Sequence, residues 1–261
     1  MFASHDADSR QSELTEAAAE MLRSAERVVV LTGAGISAES GIPTFRGPGG
    51  LWRKYRPEDL ATPLAFSRDP GLVWQWYDWR RQRIAQASPN PGHVAIRRIE
   101  EMSPRFTLVT QNVDGLHQAA GSQRVIELHG NIWRVRCTLE NTLAELRDVP
   151  LPEVPPHCQS CGHLLRPDVV WFGEPVPTDA LERASRAASR ADVMLVVGTS
   201  AAVYPAASMP VLTKRADGRL IEVNPDETPL TPVADIRLHG RAGAILPSVV
   251  AAMERLPQPP R

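Results

Sequence analysis

Gly33-Ala34-Gly35-Ile36-Ser37-Ala38-Glu39-Ser40-Gly41-Ile42-Pro43-Thr44-Phe45-Arg46-Gly47 follows an apolar, largely β-branched run from Val28 to Thr32. Such a run reads as a buried strand. Gly33 and Gly35 allow a sharp turn and close approach to a ligand, and N–H groups at the start of the next helix can receive a pyrophosphate. With Ala38 in third place the run fits the loose G-x-G-x-x-[GA] pattern of dinucleotide-binding turns. A dehydrogenase turn, however, feeds a long helix. Gly41 and Pro43 break this one within about two turns, and Thr44 to Gly47 reads as a mobile loop whose Phe45 and Arg46 suit a lid over a phosphorylated ligand.

The chain has 261 residues, 43% of them hydrophobic, which suffices for one large domain or a domain with a smaller insertion. Its net charge of −1 implies neither a nucleic-acid stripe nor a polybasic membrane patch. No apolar run approaches the roughly 18 residues of a spanning helix, and Met1 to Arg10 is polar, lacks the apolar core of a signal peptide and reads as a short frayed tail. The expectation is a cytoplasmic protein that binds no nucleic acid and no membrane, with monomer as its expected state. The cysteines, Cys137, Cys158 and Cys161, share one segment, which suits a metal site better than a disulfide framework. A metal-free module with three buried thiols is the other reading.

Leu14, Ala17, Ala18, Met21, Leu22 and Ala25 form an amphipathic stripe leading into the first strand. Asp69-Pro70 predicts the cap and first position of a helix to about Gln86, with Trp76 and Trp79 as core, and Asn90-Pro91 opens another to about Met102. Phe106–Thr110 and Val125–Leu128 read as strands. Cys137 to about Pro167 is proline-rich and poorly periodic, an inserted small module. Alternation then resumes: a helix from about Asp179 to Arg190 capped by Thr178, a strand Val193–Val197, a helix near Pro205–Arg215, strands Leu220–Val223 and Ile236–Leu238, and a helix from about Ala244 to Glu254. Strands alternating with helices imply an α/β fold with a doubly wound, Rossmann-like parallel sheet, and ligands then sit at the carboxyl ends of its strands. Gly33, Gln111, His129, Gly198 and Asn224 all follow predicted strand ends. The expected division is 1–47, 91–136 and 168–261 for the Rossmann-like domain, 48–90 for a helical insertion and 137–167 for the small module.

Thr110-Gln111-Asn112-Val113-Asp114-Gly115-Leu116-His117 concentrates amide, carboxylate and imidazole groups after a strand, although a polar turn with side-chain caps has the same composition. His129, after Val125-Ile126-Glu127-Leu128, is either a loop-capping imidazole or a base; imidazole, with an ordinary pKa of about 6.5, accepts a proton near neutral pH. Gly198-Thr199-Ser200 offers small residues and hydroxyls to phosphate or ribose, and Asn224 can hydrogen-bond a ribose. Tyr77 and Arg80 lie three apart on the predicted helix and share a face, which is an exposed amphipathic surface or one side of a pocket.

The run from Gly33 resembles the hallmark G-A-G-x-S-x-x-S-G-I-P-x-F-R of the sirtuins, the NAD-dependent protein lysine deacylases. T-Q-N-x-D-x-L-H at 110–117 and V-I-E-L-H-G at 125–130 resemble their second and third hallmarks, and the likeness extends from about Leu22 to Met253. It implies an NAD-binding Rossmann-like domain with an inserted zinc-ribbon-like and helical domain. It places NAD on Gly33, Ala34, Gly35, Ser37 and Ala38 under Phe45 and Arg46, the nicotinamide and ribose on Gln111, Asn112 and Asp114, and the adenosine half on Gly198, Thr199, Ser200, Asn224 and Ala242. The acyl-lysine substrate binds as an extended peptide along Val170, Trp171, Phe172 and Gly173, an added strand. In the implied chemistry the substrate amide oxygen attacks the anomeric carbon and expels nicotinamide. His129 then takes a proton from a ribose hydroxyl, and NAD is consumed as an acylated ADP-ribose. The Tyr77-x-x-Arg80 pair resembles the class III sirtuins, in which it binds the distal carboxylate of succinyl- or malonyl-lysine, so desuccinylase and demalonylase activity is expected beside deacetylase activity.

Sirtuins typically carry C-x-x-C twice, but here Glu140 stands in the position of the fourth cysteine. Zinc accepts carboxylate oxygen, so Cys137, Cys158 and Cys161 with Glu140, or with His163, are the expected ligands of one structural zinc. A nicotinamide-dependent dehydrogenase and a non-catalytic ADP-ribose-binding module are the competing classes. The early helix break counts against the first, and the joint presence of His129, Asn112 and Asp114 against the second.

Overall fold

The computed structural model describes residues 2–45 and 50–257, without the side chains of residues 2–8 and 52. Its strands are β1 (Arg27–Thr32), β2 (Arg105–Thr110), β3 (Val125–Glu127), β4 (Gly130–Cys137), β5 (Leu143–Glu145), β6 (Leu165–Val169), β7 (Val193–Val197), β8 (Arg219–Asn224) and β9 (Ile236–His239). Among the described residues six of these form one sheet in the order β3-β2-β1-β7-β8-β9, every neighbouring pair parallel. The doubly wound sheet is therefore as expected. Its order reverses between β1 and β7, and loops leaving neighbouring strands in opposite directions open a crevice there.

Alternation along each strand sends Val28 and Val30 to one face and Val29 and Leu31 to the other. The first face packs on Ala18, Leu22, Ile96, Ile99, Leu246 and Val249, from the helices Phe2–Ser24, Pro91–Met102 and Ala242–Arg255. The second packs on Ala184, Ala188 and Met209. Helix starts follow their local chemistry. Asp69 accepts a hydrogen bond from the Leu72 amide at 2.9 Å, and Asn90 accepts one from Gly92 at 2.9 Å while its own N–H donates to His93 Nδ1 at 3.3 Å. Two expectations change. The first helix begins at Phe2, so the tail expected to fray is helical, and Thr178 is the first residue of its helix rather than the cap, a place taken by Pro177 with no side-chain bond.

The second sheet, antiparallel β5-β4-β6, starts earlier than the cysteine segment: Gly130–Cys137, expected in the large domain, pairs with Leu165–Val169. The signal lay in the alternation at the end of β4, where Val135 and Cys137 are buried while Arg134 and Arg136 reach Asp168 on β6, at 3.1 and 2.7 Å. This sheet shares a core with the helix Pro70–Ala85, through Trp74, Tyr77, Ile132, Val135, Val169 and Trp171. Arg81, fully buried on that helix, donates to the carbonyls of Ile132 (2.8 Å), Leu146 (2.5 Å) and Asp148 (3.2 Å), and Asp78 accepts from the Leu151 amide at 3.0 Å. Helical insertion and small sheet are thus tied together across the crevice mouth.

Candidate active site

The Gly33–Gly35 turn is locked to the loop after β7. Gly33 N–H donates to Val197 O (3.1 Å), Gly35 N–H to Gly198 O (2.8 Å), and Gly198 N–H to Val223 O (3.0 Å). A Cβ on Gly33 would lie 2.7 Å from Thr199 Cβ, one on Gly35 2.7 Å from Gly198 O, and one on Gly198 2.5 Å from Ile36 N. These glycines are needed for loop-to-loop packing, a constraint beyond the close ligand approach expected of them. The helix after the turn spans only Gly35–Ala38, and its Ile36 and Ser37 amides bond to Gly33 O and Ala34 O. An anion in the crevice therefore meets two loops rather than a helix N-terminus: among the described residues the amides of Ala34, Thr199 and Ser200 have no protein acceptor.

Beneath this floor runs a buried polar chain. Asn112 Nδ2 donates to Gly33 O (3.0 Å) and to Ser37 Oγ (3.2 Å), and Ser37 donates to Asp114 Oδ2 (2.8 Å), whose other oxygen accepts from the Leu116 amide (2.9 Å). Burial raises the Asp114 pKa, against the hydrogen bonds and the Arg80 charge that favour its ionised form. Asn90 N–H donates to His93 Nδ1, so His93 carries its proton on Nε2, 3.5 Å from Ser37 Oγ. His117 packs against His93 with ring centroids 4.9 Å apart and places Nε2 3.0 Å from Thr32 Oγ1. Burial pushes His93 down to about 4 and His117 down to about 3, so both are neutral at pH 7.

His129 leaves β3 with its Nδ1 3.0 Å from Gln111 O. A carbonyl can only accept, so Nδ1 carries the proton and Nε2 is left with its lone pair. Burial lowers the His129 pKa, against the stabilising carbonyl contact, and the ring is a neutral acceptor at physiological pH. Gln111 itself spans two loops, its side-chain amide donating to Thr199 Oγ1 (3.0 Å) and Thr32 O (3.3 Å), and Asn224 Nδ2 donates to Thr199 O (2.8 Å).

All of this opens into a crevice of about 830 Å³ between the large sheet and the small domain. Of the residues expected at the site, Gly33, Ala34, Gly35, Ala38, Phe45, Gln111, Asn112, His129, Gly198, Thr199, Ser200, Asn224 and Ala242 line it, as do Tyr77, Arg80 and Val170 to Gly173. Ser37 and Asp114 lie under its wall, and Arg46 falls outside the described residues. Tyr77 and Arg80 are not on an exposed face: they are 2% and 7% exposed. Trp171 Nε1 donates to Tyr77 Oη (2.9 Å), and the Arg80 guanidinium lies 4.9, 4.8 and 5.6 Å from the ring centres of Phe45, Trp76 and Tyr77. Among the described residues no carboxylate lies within ion-pair distance of Arg80. Glu39 was missed by sequence reasoning. It accepts from Gly243 N–H at 2.7 Å, capping the helix Ala242–Arg255 whose N-terminus closes one side of the crevice. That partner lies 204 residues away. Only the glutamate's position inside the glycine-rich run could have drawn attention to it.

In the small domain, Cys137, Glu140, Cys158 and Cys161 bring one donor atom each within 4.8 Å of all the others. Cys137 and Cys161 sulfurs are 3.4 Å apart. With zinc–sulfur bonds of about 2.3 Å, sulfurs on a tetrahedron are about 3.8 Å apart, so three thiolates and a carboxylate fit one structural zinc. His163 stands outside this group, its Nδ1 3.3 Å from Cys161 O, and His157 pairs with Glu153 at 2.9 Å.

Fold and site together define a nucleotide-binding α/β protein in which a small domain with a metal-ligand cluster faces the sheet across a crevice. Comparison with known proteins agrees. The Sir2 family pattern matches residues 33–205. The chain is 56% identical over 237 residues to NAD-dependent protein deacylase 2 of Pyrobaculum aerophilum, covering 91% of this chain and 95% of that one. To the NAD-dependent protein deacylase of Aquifex aeolicus it is 59% identical over 222 residues, 85% of this chain and 93% of the other. A solved Sir2 homologue in complex with NAD superposes with a TM-score of 0.86 at 51% identity, covering 91% of this chain and 93% of that one. A Sir2–p53 peptide–NAD+ structure gives 0.81 at 37% identity, covering 89% and 95%. The chain belongs to the Sir2 family.

Protein purified without added zinc is expected to carry about one zinc per chain, and Cys161→Ser to carry less. A ratio well below one in the wild type, measured by elemental analysis, contradicts the ligand set. The two buried histidines also set an acid limit. Each has a folded pKa below its unfolded value of about 6.5, so the unfolded chain binds more protons and stability present above that pH is lost as pH falls toward the folded values. At about 1.4 kcal/mol per unit, each should cost about 2 kcal/mol between pH 7 and pH 5, visible as a lower urea midpoint. An unchanged midpoint would mean that neither ring is held neutral by the fold.

Proposed function

We propose that this chain, an NAD-dependent protein deacylase, removes succinyl and malonyl as well as acetyl groups from lysine side chains, releasing nicotinamide and O-acyl-ADP-ribose. One observation carries the wider acyl range: a buried guanidinium that, among the described residues, has no carboxylate in ion-pair contact and only the more distant charge of Asp114, beside a phenol in the wall of the crevice. A buried cation costs free energy unless paired, and its pKa is lowered by that burial. Stacking on Phe45 and Trp76 offsets part of this cost. An acyl chain ending in a carboxylate completes the pairing with a bidentate fork, and Tyr77, whose oxygen already accepts from Trp171, has its own proton to donate.

In this reading the Ala34, Thr199 and Ser200 amides receive the pyrophosphate, and Asn112, held by Gly33 O and Ser37, positions the nicotinamide end. NAD bound there supplies an electrophilic anomeric carbon, toward which the substrate amide is directed. Much of the rate must come from positioning and from exclusion of water, with Phe45 as shield. His129 Nε2 takes the proton of the ribose hydroxyl because Gln111 O holds the other nitrogen protonated. The peptide lies along Val170 to Gly173. There the Val170 and Phe172 amides already donate to His129 O (3.0 Å) and Ala61 O (2.9 Å), and the Trp171 amide to Glu174 (2.9 Å). The Trp171 carbonyl accepts from the Glu174 amide (3.0 Å), so strand addition falls on the Val170 and Gly173 carbonyls and the Gly173 amide. A p53 peptide bound to a related Sir2 protein supports an extended peptide as substrate.

His129→Ala should keep NAD binding and lose turnover by at least about a hundredfold, the low end for a general base. Near-normal deacylation by that variant would sink the assignment. Arg80→Met should raise KM for succinyl-lysine peptides about tenfold to a hundredfold, the worth of a charge-assisted contact of about 1.5–3 kcal/mol, and leave acetyl peptides little changed. Equal weakening of both substrates would make Arg80 a packing residue and remove the basis for the wider range.

A further inference from the structure

At the opposite end of the sheet, about 20 Å from the crevice by the length of a six-residue strand, a second groove of about 440 Å³ is lined by six arginines. Arg27 and Arg105 open the adjacent strands β1 and β2 in register, and Arg124 directly precedes β3. Arg27 and Arg105 stand about 4.8 Å apart on neighbouring strands, and Arg124, level with Thr107, continues the line two residues further along. Arg183, Arg186 and Arg190, at i, i+3 and i+7 along the helix Thr178–Ala188 and just past its end, form a facing row on one side. Carboxylates offset only part of this charge. Glu26 lies 3.6 Å from Arg27 and 3.3 Å from Arg105, Asp192 3.8 Å from Arg27, and Asp179 3.3 Å from Arg183. Among the described residues Arg124, Arg186 and Arg190 have no carboxylate within ion-pair distance, and all three are exposed. In a chain of net charge −1 this is a local excess of three positive charges, six arginines against three acids, and nothing in the deacylation chemistry uses it.

We propose that this groove is a second ligand site, and that it binds an oligophosphate chain, whether inorganic or carried by a nucleotide. Two facing rows of cations in so small a volume call for anions spaced more closely than side chains on a peptide, and phosphates joined through single oxygens meet that demand. Arginine is the suited cation, because its planar fork takes two phosphate oxygens at once. Among the described residues no aromatic side chain lines the groove, so it offers no stacking platform for the bases of a single-stranded nucleic acid. Bound phosphate would also relieve the repulsion among like charges.

The test is calorimetric titration of the whole protein, its crevice first saturated with ADP-ribose, with sodium tripolyphosphate at low ionic strength. The comparison protein carries Arg124→Gln, Arg186→Gln and Arg190→Gln, exposed positions outside the crevice that should leave deacylation unchanged. The wild type is expected to bind one tripolyphosphate, more weakly as salt is raised, and the triple variant to lose at least about tenfold in affinity, the worth of one charge-assisted contact. ATP titrated in parallel separates the sources: equal affinity assigns the site to the phosphate chain alone, and clearly tighter binding assigns it to a nucleotide. Three results overturn the proposal: no binding to the wild type, undiminished binding to the variant, or tighter binding of a short single-stranded oligonucleotide than of either phosphate ligand. None of these bears on the deacylase reading, whose tests use other residues.

Discussion

The backbone contact between Gly35 and Gly198 is the constraint on which the site depends. These residues sit in the two loops that leave the sheet at its reversal point, and the 2.8 Å hydrogen bond between them leaves no room for a Cβ on either side. Because the loops are fixed to each other, the amides of Ala34, Thr199 and Ser200 stay beside one another without a protein acceptor. Donors fixed this way need no reorganisation to receive an acceptor. Gln111 and Asn224 extend the same lock outward, since both spend a side-chain amide on the Thr199 loop.

Under the lock the protein keeps its titratable groups in chosen states by burial and by single hydrogen bonds. His93 and His117 are held neutral in the core, so the chain that ends on Ser37 and Asp114 carries no imidazolium at physiological pH. His129 obeys a different rule. Its burial also disfavours charge, but one backbone carbonyl decides which nitrogen faces the crevice. Three histidines within one region thus differ in role because their partners differ, and not because of anything in the residue itself.

The Tyr77 and Arg80 side of the crevice is built by another long-range tie. Buried Arg81 stitches the helix Pro70–Ala85 to three carbonyls of the small domain, and the same helix presents Tyr77 and Arg80 to the crevice. The tie fixes the direction in which that face looks. The cysteine cluster lies in the same small domain, with Cys137 ending the strand that also carries Ile132 and Val135 into the shared core. The cysteine cluster and the Tyr77–Arg80 wall are therefore linked through one strand and one helix.

Much of this was legible before any coordinates. Strand–helix alternation implied the doubly wound sheet, and Asp69-Pro70 and Asn90-Pro91 marked helix starts, because caps and periodicity are local and act within a few residues. The hallmark runs around Gly33, Asn112 and His129 identified the family for the same reason: each is a contiguous stretch serving one loop. Other features were decided only by the tertiary structure. Gly130–Cys137 was placed with the large domain and not read as a strand, since its partner, Leu165–Val169, lies far along the chain and is set by pairing across the fold. The partnership of Glu39 with Gly243, the choice of Glu140 over His163 beside the cysteines and the burial of Arg80 all join segments distant in sequence. Spacing shows that Tyr77 and Arg80 share a helix face, but only the packing of that helix against Trp171 and Phe45 determines that the face looks into a crevice rather than into water.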